Sequence, residues 1–209
     1  MVGILTGDII NSRRDDDQGT WLAPLKQVLQ GLGAPPVDWE VFRGDSFQLE
    51  VKKPEETFHI ALLLKATIKS VRSYDLRLAI GIGEKTYHAE RITESNGPAF
   101  VHSGEKFELL QQEKVSLAIK SPWPGLDKEL NTCMKLALVA IDNWTVGLAE
   151  IVALTMQNQE LLQAEVGKKL GIKQNAVSGR LKRAHYHELM EFEALFRQKI
   201  GSHLHGVHS

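Results

Sequence analysis

The chain has 209 residues, of which 43% are hydrophobic and 24% are charged, and its formal net charge at pH 7 is −1. This balance excludes a disordered tail and a strongly basic coat protein. The single cysteine, Cys133, excludes an internal disulfide and indicates a reducing compartment. The apolar runs are shorter than the roughly 20 residues of a membrane helix, and the N-terminal segment lacks the pattern of a signal peptide. We therefore expect a cytoplasmic protein without a membrane span.

The first part of the chain begins with a strand, a helix and a hairpin. A short apolar run that is broken by Gly7-Asp8 predicts a strand over residues 2–10. Leucines and a valine at helical spacing predict a helix over residues 20–33. Alternating apolar residues over 39–51, interrupted by Arg43-Gly44-Asp45-Ser46, predict two strands joined by a tight turn.

The pattern then alternates twice more between helix and strand. The predicted elements are a helix over 54–74, a strand over 75–83, a helix over 96–112 and a strand over 115–120. The order β-α-β-β-α-β followed by α-β is that of the split βαβ, so the expected fold class is α/β (α+β) with a ferredoxin-like arrangement.

A linker is predicted at Ser121-Pro122-Trp123-Pro124-Gly125, because two prolines and a glycine fall within five residues. After it, the pattern is helical to about residue 200. We therefore expect a ferredoxin-like domain over 1–121, an all-α domain over 122–200 and a disordered tail over 201–209.

The all-α domain contains a candidate helix-turn-helix over residues 163–184. Gly167 is small where two helices would cross closely, and Gly171 permits the turn between them. The second helix then presents polar and basic side chains of the types that reach base edges and phosphates. The candidate DNA-binding residues are Lys173, Gln174, Asn175, Ser178, Lys182 and Arg183.

The local charge agrees with DNA as the partner. Residues 165–183 carry six basic residues against one acidic residue, a local charge of +5 in a chain of net −1. Clustered positive charge is typical of phosphate binding. The alternatives are a pair of helices whose lysines are merely solvated, and a module that docks protein. The stretch from Glu165 to Ala184 resembles the DNA-binding module of sigma-factor region 4, which implies the mode of binding and no particular operator.

Two carboxylates, Asp8 and Asp45, stand at the turns of the first domain. The first strand of a split βαβ sheet lies between its neighbours, so its end approaches the hairpin that carries Asp45. Carboxylates and substrate phosphates are preferred ligands of Mg²⁺, which makes the pair a candidate Mg²⁺ or Mn²⁺ site. The alternative is two ordinary turns. The candidate nucleotide-phosphate ligands beside the pair are Asn11, Ser12, Arg13 and Arg43.

Both turns resemble the metal-binding segments of the class III nucleotidyl cyclases. Leu5-Thr6-Gly7-Asp8-Ile9-Ile10 is similar to their first metal-binding strand, and Val41-Phe42-Arg43-Gly44-Asp45-Ser46-Phe47 is similar to their second hairpin and to the signature turn of diguanylate cyclases. The resemblance implies a nucleotide-cyclase-like fold in which Asp8, the carbonyl of Ile9 and Asp45 hold metal ions on a triphosphate.

The chain as a whole resembles the SatD family of bacterial proteins. The likeness lies in Gly7-Asp8-Ile9-Ile10-Asn11-Ser12-Arg13, in Gly44-Asp45-Ser46-Phe47-Gln48 and in Asn96-Gly97-Pro98-Ala99-Phe100. It spans most of the chain and implies the domain organisation more than an activity.

One departure from the cyclases bears on turnover. The asparagine and arginine that steady their transition state fall near Val101 and Glu105 here, with Lys106 the nearest substitute. Ser46 also stands where the diguanylate cyclase signature has glutamate. We therefore expect a DNA-binding transcriptional regulator whose first domain binds a nucleotide and a divalent metal, with a homodimer expected by the habit of such proteins. The alternative is an active nucleotidyl-transfer enzyme fused to a DNA-binding module.

Overall fold

A computed structural model describes residues 1–12, 19–72 and 74–206, in which the chain forms five strands and eight α-helices. The strands are β1 (Val2–Ile10), β2 (Trp39–Phe42), β3 (Ser46–Val51), β4 (Asp75–Gly83) and β5 (Leu117–Lys120). The helices are α1 (Gly19–Gln30), α2 (Thr57–Lys69), α3 (Pro98–Glu113), α4 (Pro124–Ile141), α5 (Val146–Gln157), α6 (Gln163–Leu170), α7 (Gln174–Arg183) and α8 (Tyr186–Leu204).

The five strands form one mixed sheet in the order β2-β3-β1-β4-β5. β1 pairs antiparallel with both β3 and β4, β2 pairs antiparallel with β3, and β4 pairs parallel with β5. At the centre of the sheet, Leu5 lies opposite Leu49 on one side and Ile80 on the other. The expected mixed α/β class and the central position of the first strand are therefore confirmed.

The two faces of the sheet are covered differently. Leu5 and Ile9 belong to the large buried cluster that also contains side chains of α1 and α2, such as Leu25 and Phe58. Ile4 points to the opposite face, in a small buried cluster with residues of α3. Because successive side chains of a strand alternate between faces, Thr6 and Asp8 lie on the α3 face with Ile4.

Helix α3 lies very close to β4. A Cβ added at Gly81 would lie 2.2 Å from the carbonyl oxygen of Ala99 and 2.3 Å from the amide nitrogen of Ser103. A side chain at this position would therefore push the helix off the sheet. Gly81 keeps α3 over β4 and β1, at one border of the polar surface described below.

The C-terminal helices share a buried core with the sheet. The large cluster includes Leu78 of β4 and Phe58 of α2 together with Ile151 of α5 and Phe196 of α8. The ring of Phe196 lies 5.5 Å from that of Phe58. These helices thus pack on α2, and the division of the chain at residue 121 stays a prediction.

The expected tail over 201–209 is wrong for its first residues, because α8 continues to Leu204. Leu204 packs partly buried against the large cluster, and the ring of His203 lies 5.1 Å from that of Trp123. These contacts hold the last turn of the helix in place. Residues 207–209 lie outside the described part of the chain. Among the described helices, none has the length and apolar character needed to cross a membrane.

Candidate functional site

The end of β1 and the turn between β2 and β3 meet at one edge of the sheet. Asp8 lies opposite Ser46, the residue that directly follows Asp45. The amide N–H of Ile9 donates to the carbonyl oxygen of Asp45 over 3.1 Å. The backbones that carry the two carboxylates are therefore neighbours, because antiparallel pairing of β1 with β3 brings the strand end to the hairpin.

Asp8 is held by a cation from the neighbouring strand. Arg77 lies opposite Asp8 in the register of β1 and β4. Its Nε donates to Oδ1 of Asp8 over 3.0 Å, and its Nη2 donates to Oδ2 over 2.6 Å. The side chain of Arg77 is only 27% exposed and that of Asp8 only 18% exposed. This bidentate pairing engages both carboxylate oxygens and fixes their plane.

Asp45 is tied to the segment that follows β1. The hydroxyl of Ser12 donates to Oδ2 of Asp45 over 2.5 Å. Asn11, which joins the end of β1 to Ser12, adopts φ = 68°. The turn between β2 and β3 passes through Arg43 at φ = 52° and Gly44 at φ = 89°. These left-handed conformations reverse the backbone tightly and bring Ser12 to the turn.

The phosphate ligands expected from the sequence are described only in part. Ser12 contacts Asp45, and Asn11 and Arg43 are exposed at the two turns. Arg13 lies outside the described residues. The first helix, α1, begins at Gly19, near its predicted start at residue 20 and seven residues after Ser12. The free N–H groups of that helix therefore belong to a later part of the chain.

A second cluster of polar groups surrounds Thr6, two residues before Asp8 on the same face of β1. The hydroxyl of Ser103 in α3 donates to Oγ1 of Thr6 over 2.5 Å, and Nε2 of Gln48 donates to the same oxygen over 3.5 Å. The surface beside β3 is therefore polar, unlike the opposite face of the sheet.

The two positions where cyclases carry transition-state residues hold other chemistry. Val101 is exposed on α3, and Glu105 is paired with Lys120, which lowers the pKa of the Glu105 carboxyl. Lys106 donates to Glu113 over 2.8 Å. These side chains thus leave no cation or amide in the expected positions to stabilise developing negative charge.

The donors near Asp8 and Asp45 are of the kind that a divalent cation takes, since carboxylate and carbonyl oxygens are hard ligands. In the described residues, no group of three or more His, Cys, Asp or Glu side chains is positioned to hold a metal ion. A cation at Asp8 would also have to displace the guanidinium of Arg77, which already neutralises that carboxylate. The residue types fit a metal ion, and Arg77 competes with it.

The second candidate site is the pair of helices α6 and α7, over which the sequence predicts a helix-turn-helix. Gly171 ends α6 in the left-handed conformation at φ = 65°. Gly167 lies at the crossing of the helices, where a Cβ would be 2.6 Å from the carbonyl oxygen of Ile172. Val177 and Leu181 are buried on the inner side of α7. The inner side therefore fixes the orientation of the helix.

The outer side of α7 is exposed and polar. All six candidate DNA-binding residues are exposed, and they belong to α7 or to the residue before it: Lys173, Gln174, Asn175, Ser178, Lys182 and Arg183. On α6, Lys168 and Lys169 are also exposed, and Nζ of Lys169 donates to Asn158 over 2.9 Å. All of these groups face solvent, on α7, on the residue before it or on the helix that precedes it.

A buried lysine, which no sequence pattern indicated, links the sheet to the helices α4–α8 that follow it, the helical half of the chain. The side chain of Lys65 is fully buried, and its ammonium donates to Asp75 over 3.1 Å, to the carbonyl oxygen of Leu76 over 2.8 Å and to Ser116 over 3.0 Å. Burial lowers the pKa of Lys65 against the opposing effect of nearby carboxylates. Burial would raise the pKa of Asp75, but the neighbouring lysines lower it overall.

This network reaches the end of α7. The Ser116 hydroxyl donates to the carboxylate of Asp142 over 3.0 Å, in the turn between α4 and α5. Two residues later, the indole N–H of Trp144 donates to the carbonyl oxygen of Ala184 over 2.9 Å, at the end of α7. A short series of polar contacts, in which Asp142 is partly exposed, thus connects β4 with the end of α7.

Comparison with protein-family models gives one match. The model of the SatD family matches residues 3–190, which is nine-tenths of the chain and includes both candidate sites. A search of curated proteins found no match.

Proposed function

The chain belongs to the SatD family, and we propose that it is a bacterial DNA-binding transcriptional regulator in which α7 is the recognition helix. One observation carries the proposal. The inner side of α7 is buried through Val177 and Leu181, while the exposed side chains of the helix are polar or basic apart from the small Ala176. A solvent-facing helix on a rigid base, with cations at both ends, has the geometry that enters a major groove.

The residues of α7 divide into two roles by chemistry and position. Gln174, Asn175 and Ser178 lie in its first half and carry the amide and hydroxyl groups that hydrogen-bond base edges. Lys173 precedes the helix and Lys182 and Arg183 end it, where they would contact phosphates and set its position on the duplex. Affinity would then come mainly from the cations and sequence preference from the first half of the helix.

The proposal is tested by gel shift on a pool of random-sequence duplexes. The variant Lys182→Ala with Arg183→Ala should weaken binding at least about tenfold, because it removes two phosphate contacts. A matched variant, Lys26→Ala with Lys128→Ala, removes two exposed cations from α1 and α4 and should bind like the wild type. Equal binding by the two variants, or no binding by the wild type, would refute the proposal.

We also propose that the sheet half has a ferredoxin-like, nucleotide-cyclase-like fold. The strand order β2-β3-β1-β4 with antiparallel pairing throughout supports this, since it is the order of the split βαβ motif. The parallel strand β5, which follows α3, extends that motif by one unit.

We propose in addition that a nucleotide binds at the end of β1 together with Mg²⁺ or Mn²⁺. Asp8, the carbonyl of Ile9 and Asp45 would hold the cation, which when bound neutralises and orients phosphates. Arg77, once released from Asp8, would remain beside the site as a phosphate partner, and Asn11, Ser12, Arg13 and Arg43 are the other proposed phosphate ligands. These residues would bind the nucleotide without catalysing its turnover.

Binding without turnover is favoured over the alternative of a nucleotidyl-transfer enzyme. The observation behind this choice is the pairing of Glu105 with Lys120 and the exposed Val101 on α3. Pyrophosphate release from a nucleoside triphosphate in the presence of Mg²⁺ or Mn²⁺, abolished by Asp45→Ala, would establish the enzyme instead.

Ligand binding is tested by thermal stability against nucleotides with Mg²⁺ or Mn²⁺. A ligand at 100 times its dissociation constant should add about 2.7 kcal/mol to the free energy of unfolding, a shift of several degrees at this size. Asp8→Asn with Asp45→Asn should remove the shift while keeping the side-chain volumes. The absence of any shift in the wild type would contradict a nucleotide site and leave the DNA-binding proposal standing.

The ligand would act on DNA binding through the contacts between the two halves. Asp142 and Trp144 connect the buried Lys65 network to the end of α7. A ligand changes DNA affinity only if it binds one arrangement of these contacts better than another. The proposed regulator works in the cytoplasm as a homodimer.

A further inference from the structure

An apolar strip runs along the outer surface of α4. Leu136 is 71% exposed and Val139 is 68% exposed, one turn apart on the same side of the helix. Beside them, α4 and α8 form a groove of about 570 Å³ whose apolar lining includes Cys133, Phe192 and Leu195. A soluble chain rarely leaves a continuous apolar ridge and groove open, and such surfaces mark interaction sites.

The two edges of this strip carry opposite charges. Glu188 and Glu191 of α8 line the groove on one side of Leu136. On the other side of Val139, a second depression is lined by Lys114 and Lys135. Asp142 also lies there, but its carboxylate accepts a hydrogen bond from the hydroxyl of Ser116 and lies 3.9 Å from the ammonium of Lys65. The surface thus runs from acidic through apolar to basic.

We infer that this surface, formed by α4 and α8, is a two-fold interface between two copies of the chain. In a two-fold interface the same patch meets itself, so groups on opposite sides of the axis face each other. An axis through the ridge of Leu136 and Val139 brings the acidic edge of one copy onto the basic edge of the other. The ridge is buried at the centre, and the four charges of each copy form the rim.

The charge pattern selects a second copy as the occupant of the groove. An unrelated apolar partner would need only the groove, whereas self-association also needs charges of opposite sign on the two sides of the ridge, where Glu188 and Glu191 face Lys114 and Lys135 across Val139. The inference rests on α4 and α8 and not on DNA binding. Because α8 begins two residues after Ala184 at the end of α7, such a dimer would fix the spacing of two recognition helices.

Sedimentation equilibrium over roughly 1–100 µM protein tests the interface. Leu136→Glu places a carboxylate against its own copy at the axis and should raise the dimer dissociation constant about 100-fold. Val37→Glu, at an exposed apolar residue outside this surface, should leave it unchanged. Circular dichroism of the variants checks that both retain the fold.

A charge exchange distinguishes a two-fold interface from nonspecific hydrophobic association. Lys114→Glu with Lys135→Glu should raise the dissociation constant about tenfold, and so should Glu188→Lys with Glu191→Lys. The chain that carries all four changes should return to within about threefold of the wild type, because every cross-copy pair is then reversed. Additive weakening in that chain would overturn the inference, as would a wild type that is monomeric throughout the range.

Cys133 supplies an independent readout, since it is the chain's single cysteine and lines the groove. It lies one turn of α4 before Leu136, so the two-fold axis would place the two thiols within roughly 15 Å of each other. A flexible bis-maleimide should therefore couple wild-type chains into dimers, and Leu136→Glu should suppress the product. A crosslinked yield that is insensitive to Leu136→Glu would contradict the interface.

Discussion

Replacing Gly167 with alanine is expected to destabilise the chain, although alanine is the better helix former. An added Cβ would lie 2.6 Å from the carbonyl oxygen of Ile172 and 3.4 Å from Cγ2 of Val177. Because the closest atom belongs to the backbone of the turn that joins α6 to α7, the packing of the two helices must open, at a cost of about 3 kcal/mol. The helix propensity of alanine returns about 1 kcal/mol, so the net loss is about 2 kcal/mol.

Gly179 is the matched control, because it lies in α7 and its added Cβ would meet only a guanidinium nitrogen of Arg183 at 3.6 Å. Gly179→Ala should therefore stabilise the chain by about 1 kcal/mol. Urea unfolding, followed by circular dichroism, measures both variants, and their free energies of unfolding should differ by about 3 kcal/mol. If Gly167→Ala were as stable as Gly179→Ala, the tight helix crossing would be refuted.

Three further predictions concern titratable or charged side chains that are wholly or partly buried. Arg77→Gln should tighten Mn²⁺ binding about tenfold, because it frees the Asp8 carboxylate. Electron paramagnetic resonance of free Mn²⁺ measures the affinity, and an unchanged affinity would count against a cation site. Lys65→Met should lower the free energy of unfolding by about 3 kcal/mol, since it leaves Asp75 with fewer partners, and a loss below about 1 kcal/mol would contradict the buried network. Burial lowers the pKa of His59, so the unfolded chain binds more protons and stability falls as the pH drops below about 6.5; His59→Gln should remove that part of the pH dependence of urea unfolding, and an unaltered profile would contradict it.

The strands and the helices α6 and α7 were predictable because local patterns determine them. The predicted strands over 2–10 and 75–83 agree with β1 and β4 residue for residue, since continuous apolar runs end there at turns. The spacing around Gly167 and Gly171 likewise predicted α6 and α7. In each case, the signal lies within a few neighbouring residues.

The partners of the buried charges were not predictable in the same way. Arg77 meets Asp8 because of the register between β1 and β4, which no pattern within either strand specifies. Arg77 did carry one signal, as a charged residue between the buried Leu76 and Leu78. Lys65 carried none, because a lysine within an amphipathic helix is normally exposed. The end of α8 was misjudged since its contact with Trp123 is long-range.

The slope of DNA affinity against salt concentration tests the central claim most directly. Each phosphate contact contributes about −0.9 to the slope of log K against log salt. If Lys173, Lys182 and Arg183 each contact a phosphate, the slope of the wild type should be about −2.7 or steeper per helix-turn-helix unit. Lys182→Ala with Arg183→Ala should make it shallower by about 1.8. An affinity that does not depend on salt, or a slope that the variant leaves unchanged, would contradict α7 as the DNA-binding element.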